Sequence, residues 1–254
     1  MTTLEIEFLG TGTSTGVPQL RCHCPVCLSS DPRDKRLRTS AIVRYQGARL
    51  LIDCGPDFRT QMLRASDDNL DAVLLTHIHY DHVGGLDDLR AYCYGKPFPL
   101  YARPDVLENL HKRLPYCFAE NPYPGVPHFE EHPIGDEPFL VEGVHVEPIS
   151  VMHYKLPIVG FRIGPLAYIT DAKTIADQQV AKLAGVPLLV INALRFKPHL
   201  SHLCLSETLD LVERISPGRT LLIHMSDGIG LHQQTSAKLP QGVELAYDGL
   251  IVKV

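Results

Sequence analysis

The sequence predicts an α/β chain built from two sheets packed face to face with helices outside. Three observations carry that expectation. Short apolar runs with strand character alternate with helix-like stretches along the chain. An apolar strand delivering a polar, ligand-rich turn occurs in the first half and recurs in the second. No low-complexity linker separates the halves, so residues 1–254 read as one domain.

The elements follow in order. Leu4 to Leu9 alternates and reads as an edge-like strand entering the Gly10 to Gly16 run, a turn-rich loop near the floor of any site. That run lacks the Gly-Lys-Ser/Thr ending of a phosphate-cradling P-loop. Ala41 to Tyr45 and Arg49 to Asp53 form a hairpin around Gln46-Gly47. Phe58 to Ala65 suits a short helix, and Asp71 to Thr76 is a buried strand. The segment between Tyr92 and Pro138 is rich in Pro and aromatic residues and reads as loop, with one helix over Pro104 to Leu114. Val144 to Val151 is a strand leading to His153. Ile158 to Ile163 and Leu166 to Ile169 make a second hairpin ending at Thr170-Asp171. Thr174 to Ala184 is helical, Leu188 to Ile191 is a buried strand, Leu205 to Ile215 is an amphipathic helix, and Thr220 to Ile223 is a strand delivering His224.

Composition narrows the class. Hydrophobic residues at 44% and charged residues at 21% describe an ordinary globular protein. No apolar run is long enough to span a bilayer, and Met1 to Glu5 lacks the basic and apolar regions of a signal peptide, so a cytoplasmic protein is expected. The net charge of −5 weighs against a large nucleic-acid surface. Seven cysteines in a chain this long fit thiols or metal ligands in a reducing compartment rather than a disulfide scaffold.

The chemistry concentrates in Thr76-His77-Ile78-His79-Tyr80-Asp81-His82. A strand end holds its backbone rigidly, so side chains just beyond it can be aimed at a common point. Imidazoles with a carboxylate suit zinc, manganese or iron and do not suit calcium. The strand ends of the second half add His153, Asp171 and His224. The expected division gives His77, His79 and His153 to one cation and Asp81, His82 and His224 to another, with Asp171 bridging. Water between two such ions sees its pKa fall from about 16 toward about 7, which makes a nucleophile at neutral pH. The plain alternatives are a surface histidine cluster and, for Asp171, the cap of a helix near Lys173. Asp53 reads as a carboxylate that fixes a ligand imidazole from behind, or as an ordinary turn aspartate.

These residues resemble the metallo-β-lactamase-fold hydrolases from the first strand to Val254. The resemblance implies a four-layer αββα sandwich with a dinuclear site of Zn²⁺ or Mn²⁺ at its edge. His79 stands where the flavo-diiron oxidoreductases carry Glu, which disfavours a redox role. Asp81-His82 together resemble the two-metal hydrolase branches.

Cys22-His23-Cys24-Pro25-Val26-Cys27 is the second strong signal. Three thiolates on one short loop read as three corners of a closed structural zinc site. The competing reading, a redox Cys24-Pro25-Val26-Cys27, lacks its βαβ context. The spacing resembles the PhnP-type cyclic-phosphate phosphodiesterases, where a His three residues after the late ligand His completes the set. That position is Asp227 here, so the fourth ligand is Asp227, with His232 or His23 as alternatives. Cys54, Cys93, Cys117 and Cys204 read as buried or free thiols.

The same resemblance makes His202, in His199-Leu200-Ser201-His202, the general acid for the departing oxygen. Otherwise His202 is a residue near a helix N-terminus with no chemical part. Asp81 and His202 are thus the expected catalytic pair. Arg195 and Lys197, and the basic run Arg33, Lys35, Arg36 and Arg38, read as solvated charge.

The expected function is a two-metal phosphodiesterase acting on small, cyclic phosphate diesters, with no membrane partner, nucleic acid disfavoured, and a homodimer implied by resemblance. The alternatives are a tRNA 3′-processing type of endonuclease and a noncatalytic zinc-loop module that binds nucleic acid.

Overall fold

The computed structural model describes residues 3–119 and 123–254. In the first sheet, β1 (Glu5–Gly10), β2 (Ser40–Tyr45) and β3 (Ala48–Ile52) run antiparallel. β4 (Ala72–Leu74), β5 (Phe98–Ala102) and β6 (Phe129–Pro133) extend it in parallel. The second sheet repeats this plan. β7 (Phe139–Val141), β8 (Val144–His153), β9 (Leu156–Ile163) and β10 (Leu166–Ile169) are antiparallel. β11 (Leu188–Asn192), β12 (Arg219–Ile223) and β13 (Val243–Leu245) continue in parallel. Finally β14 (Ile251–Lys253) returns to the first sheet beside β1.

Both sheets are buried on two faces, which is why their central strands are continuously apolar rather than alternating. Phe8, Leu50 and Leu74 of the first sheet meet Phe161, Tyr168 and Val190 of the second in the central core. On the opposite face of the first sheet, Leu51, Val73 and Leu100 pack with Phe58 of α1 (Phe58–Met62). Past α2 (Tyr80–Val83), α3 (Pro104–Arg113) adds Leu107 and Leu110 to that layer. Leu189, Ile191 and Leu222 of the second sheet face Val180 of α4 (Asp177–Leu183) and Leu211 and Ile215 of α5 (Leu205–Ile215). A last short helix, α6 (His232–Ser236), lies beside β13. The result is the expected four-layer αββα sandwich.

Several expectations need correction. β1 is interior, because β14 covers its outer side. Its alternation comes instead from Glu7, buried and paired with Arg44 at 2.7 Å. The segment from Tyr92 to Pro138 holds two strands as well as its helix. Pro99 hides β5 from sequence reading, since proline cannot donate to a ladder. The β4–β5 pairing starts at Leu100, so Pro99 faces only Glu130 of β6. The helix expected from Thr174 begins at Asp177, because Thr174 is held by Met152 N–H at 2.9 Å.

Among the described residues no helix is long and apolar enough to cross a membrane. What the fold supplies is position: β3, β4, β8, β10 and β12 deliver Asp53, His77, His153, Asp171 and His224 at or just beyond their ends. Because Phe161 is fully buried between the sheets, Phe161→Ala should cost about 3–5 kcal/mol in a denaturant titration. A loss under about 1 kcal/mol would mean that the inter-sheet core is not packed as described.

Candidate metal centre

Two groups of donors meet at this edge. His77, His79, His153 and Asp171 each offer an atom within 4.8 Å of the others, and so do Asp81, His82, Asp171 and His224. Asp171 belongs to both groups. The first group draws two residues from the loop after β4 and the second draws two from α2, and each adds two from strand ends of the second sheet.

The local backbone explains how they converge. Asp53, Asp171 and His224 have φ of +60°, +55° and +54°. A left-handed residue turns the chain sharply at a strand end, and Asp and His tolerate it better than β-branched residues do. Asp171 caps nothing, since α4 starts six residues later. Gly55 admits the Asp81 loop, because a Cβ there would lie 2.1 Å from the Asp81 carbonyl oxygen.

Inside the groups, ring nitrogens and carboxylate oxygens face one another without pairing well. His82 Nε2 is buried and makes no hydrogen bond, though Asp81 Oδ2 is 3.2 Å away and Asp171 Oδ2 3.4 Å. His77 Nε2 lies 3.0 Å from His79 Nδ1 and 3.4 Å from Asp171 Oδ2. His224 Nε2 lies 3.0 Å from Asp171 Oδ1 and 3.4 Å from Asp81 Oδ2. Buried polar atoms normally find partners. Lone pairs aimed at a common point suit divalent cations, and the mixed imidazole and carboxylate set matches zinc or manganese.

The outward nitrogens are anchored. His82 Nδ1 is 2.7 Å from Asp53 Oδ2, and His153 Nδ1 is 2.8 Å from the Ser201 carbonyl. Asp53 is therefore more than a turn residue. The Ser201 carbonyl escaped sequence reading, as a backbone group must.

Charge follows burial and neighbours. Burial opposes ionisation of Asp171, but the His224 and His82 imidazoles hold it well below the usual carboxylate range. Burial likewise disfavours charge on His224, yet Asp171 and Asp81 push it up to about 9. His77, His79 and His153 are pushed down, chiefly by burial. His202 stacks near His153 and His224, with ring centroids 4.5 Å and 4.9 Å away. Burial and the His224 charge push it down to about 2. A general acid works best when it titrates near neutrality, and this ring is held well below that.

The third cluster joins Cys22, Cys24, Cys27 and Asp227 within 4.8 Å. Asp227 Oδ2 lies 3.4 Å from Cys24 Sγ and 3.6 Å from Cys22 Sγ. His23 is exposed, and the His232 ring packs against Tyr247, so neither stands with the thiols. In the neighbouring basic run Arg33 is exposed as expected, but Arg36 is not solvated. Arg36 is fully buried beside Asp34, Lys35 Nζ holds the Cys27 carbonyl at 3.0 Å, and Arg33 and Arg38 pair with Asp31 and Asp57. Arg195 is likewise tied to loop carbonyls, those of Lys197 and Pro198. Cys54, Cys117 and Cys204 are buried and Cys93 is partly so, all as free thiols.

Two sheets, their covering helices and a shared edge of His and Asp donors define the metallo-β-lactamase fold. Residues 48–225 match the beta-lactamase superfamily domain, and the chain belongs to that superfamily. A solved structure of a new diphosphatase from the PhnP family superposes with a TM-score of 0.94 at 37% identity, covering 100% of this chain and 98% of that one. The octanoyltransferase of Porphyromonas gingivalis is 48% identical over 245 residues, 95% of this chain but 50% of that protein, so the chain spans half its length. Coenzyme PQQ synthesis protein B of Methylorubrum populi is 30% identical over 224 residues, 74% of this chain and 72% of that protein.

The charge pattern sets a pH dependence. A raised folded-state pKa stabilises below the unfolded value and loses that contribution as pH rises through the folded one. For His224 that window runs from 6.5 to about 9. Chelator-treated protein should therefore melt at progressively lower temperature across that range in a thermal scan, and His224→Asn should flatten this alkaline arm. An arm of equal slope in the variant would remove His224 as its source.

Proposed function

We propose that this chain hydrolyses small phosphate diesters, cyclic ones included, with two divalent cations held by the paired donor groups and a structural zinc held by Cys22, Cys24, Cys27 and Asp227. The observation that carries the reading is the pair of four-donor groups sharing Asp171. Such ions, when bound, supply a water ionisable near neutral pH and positive charge for the nonbridging phosphate oxygens.

The chain's own residues do the rest. Asp171 sits between the groups and fixes their separation. Asp81, carried by α2 and kept ionised by the His82 and His224 imidazoles against the effect of burial, adds a second carboxylate to one side. Asp53 and Ser201 hold His82 and His153 from behind, so the donors need little rearrangement to bind. His202 lies against both groups with Nδ1 buried and unpaired. Its neutral ring can give an N–H to a phosphoryl oxygen. An anion seated beside it would raise its affinity for a second proton drawn from solvent, and the imidazolium so formed would give that proton to the departing oxygen and return to its neutral form. The cysteine cluster has every position filled by protein, so it braces the loop after β1 rather than reacting.

A second reading is hydrolysis of a diphosphate, supported by the likeness to the PhnP-family diphosphatase. Both reactions place attack at phosphorus, and the leaving group separates them. The nuclease reading lacks an exosite: the net charge is −5 and Arg33, Arg36 and Arg38 are engaged by carboxylates. A pure nucleic-acid-binding module would not need both donor groups. The octanoyltransferase extends well beyond the matched half, so its acyl transfer is not carried over to this chain. The seven free thiols suit a reducing compartment such as the cytoplasm.

Asp171→Ala should lower turnover of bis(p-nitrophenyl) phosphate with Zn²⁺ or Mn²⁺ by more than about a hundredfold, the ceiling for losing an outer partner alone. Unchanged turnover would reject the site. A dinucleoside diphosphate assayed alongside separates the two readings by its relative rate. His202→Ala should slow esters with poor leaving groups by about 10²–10⁴-fold and activated esters much less. Equal losses on both would leave His202 without a proton-donating part.

A further inference from the structure

Thr76 is fully buried, two residues past β4 and just before His77. Its neighbours are specific. Asp53 Oδ1 accepts from the Thr76 backbone N–H at 2.8 Å. The Thr76 hydroxyl lies 2.8 Å from Asp53 Oδ2 and 3.0 Å from Oδ1. The same oxygen is 2.9 Å from His77 Nδ1. Asp53 Oδ2 also receives His82 Nδ1 at 2.7 Å.

A hydroxyl has one proton to give and lone pairs with which to accept. With a carboxylate on one side, that proton goes to Asp53. The oxygen can then only accept from His77, so Nδ1 carries the imidazole proton and the Nε2 lone pair is left facing His79 and Asp171. We infer that Thr76 is a positioning residue that sets the tautomer and aim of His77, tying it to the Asp53 carboxylate that directly holds His82. One buried aspartate would thus align one imidazole in each donor group, the second through a hydroxyl. The Thr76 carbonyl adds a tie to the second sheet, accepting from Val159 N–H at 3.2 Å. The inference rests on the reading that the groups hold cations, though its tautomer claim can be tested without them.

The test compares the wild-type chain with Thr76→Val, which keeps the shape and removes the hydroxyl, and with Thr76→Ser, which restores it. In metal-free protein, long-range ¹H–¹⁵N spectra should show His77 protonated at Nδ1 in wild type and Thr76→Ser, and shifted toward Nε2 protonation in Thr76→Val. In Zn²⁺ titrations followed by calorimetry and metal analysis, Thr76→Val should weaken one of the two active-site ions about 10- to 100-fold, with Thr76→Ser near wild type. Wild-type His77 protonated at Nε2 would overturn the inference outright, and so would Thr76→Val binding every ion as wild type does. Failure of Thr76→Ser to the same extent as Thr76→Val would leave only a packing role and also overturn it. Should Thr76→Val not fold, the wild-type spectrum and Thr76→Ser decide. Wild type that takes up no ion at the His and Asp donors would sink the cation reading, while the spectra still judge Thr76.

Discussion

Asp171 carries an ionised side chain in a place where water does not reach, with His77, His82 and His224 all within 3.4 Å of its oxygens. A buried charge of that kind is costly unless matched, and here the match comes from imidazoles on two sheets. His82 and His224 are driven toward their charged forms while His77, His79 and His153 are driven away from theirs. The free protein therefore divides its protons unevenly between the two groups. Removing Asp171 would disturb both together, which no other single donor would do.

The backbone bears part of the cost of this arrangement. Left-handed conformations at Asp53, Asp171 and His224 each hold mild strain, and they persist because the strands behind them are locked into a core buried on both faces. Gly55 belongs to the same account: the loop carrying Asp81 presses so closely on it that no side chain fits. The site is stiff because its elements have few alternatives, and stiffness is what ligands for small, demanding cations need.

Much of this could be read from residue order, and the limits have physical causes. The His77 to His82 cluster and the strand ends before His153, Asp171 and His224 announce themselves because period and residue type agree locally. Asp227 was expected beside the three thiols only through the family resemblance, which puts a ligand three residues after the late His; the fold groups it with them. Features that depend on remote partners were hidden. Arg36 looks like one charge in a solvated run until Asp34 and the surrounding core enclose it. β14 is three residues long and is a strand only because β1 offers an open side. Pro99 disguised β5 through a rule about missing donors that the staggered ladder evades. Thr76 reads as an ordinary β-branched strand residue, and only the position of Asp53 gives its hydroxyl a purpose.

All three donor clusters share one more property. Each takes some members from loops leaving the first sheet and the rest from loops leaving the second: His77 with Asp171, Asp81 with His224, Cys22 with Asp227. An ion seated in any of them acts as a rivet across the middle of the sandwich, on the same seam that the central apolar layer closes. With ions bound, the two leaves could not slide past each other without breaking coordination. Were cations to fill these clusters, mechanical integrity and chemical competence would vary together with metal supply.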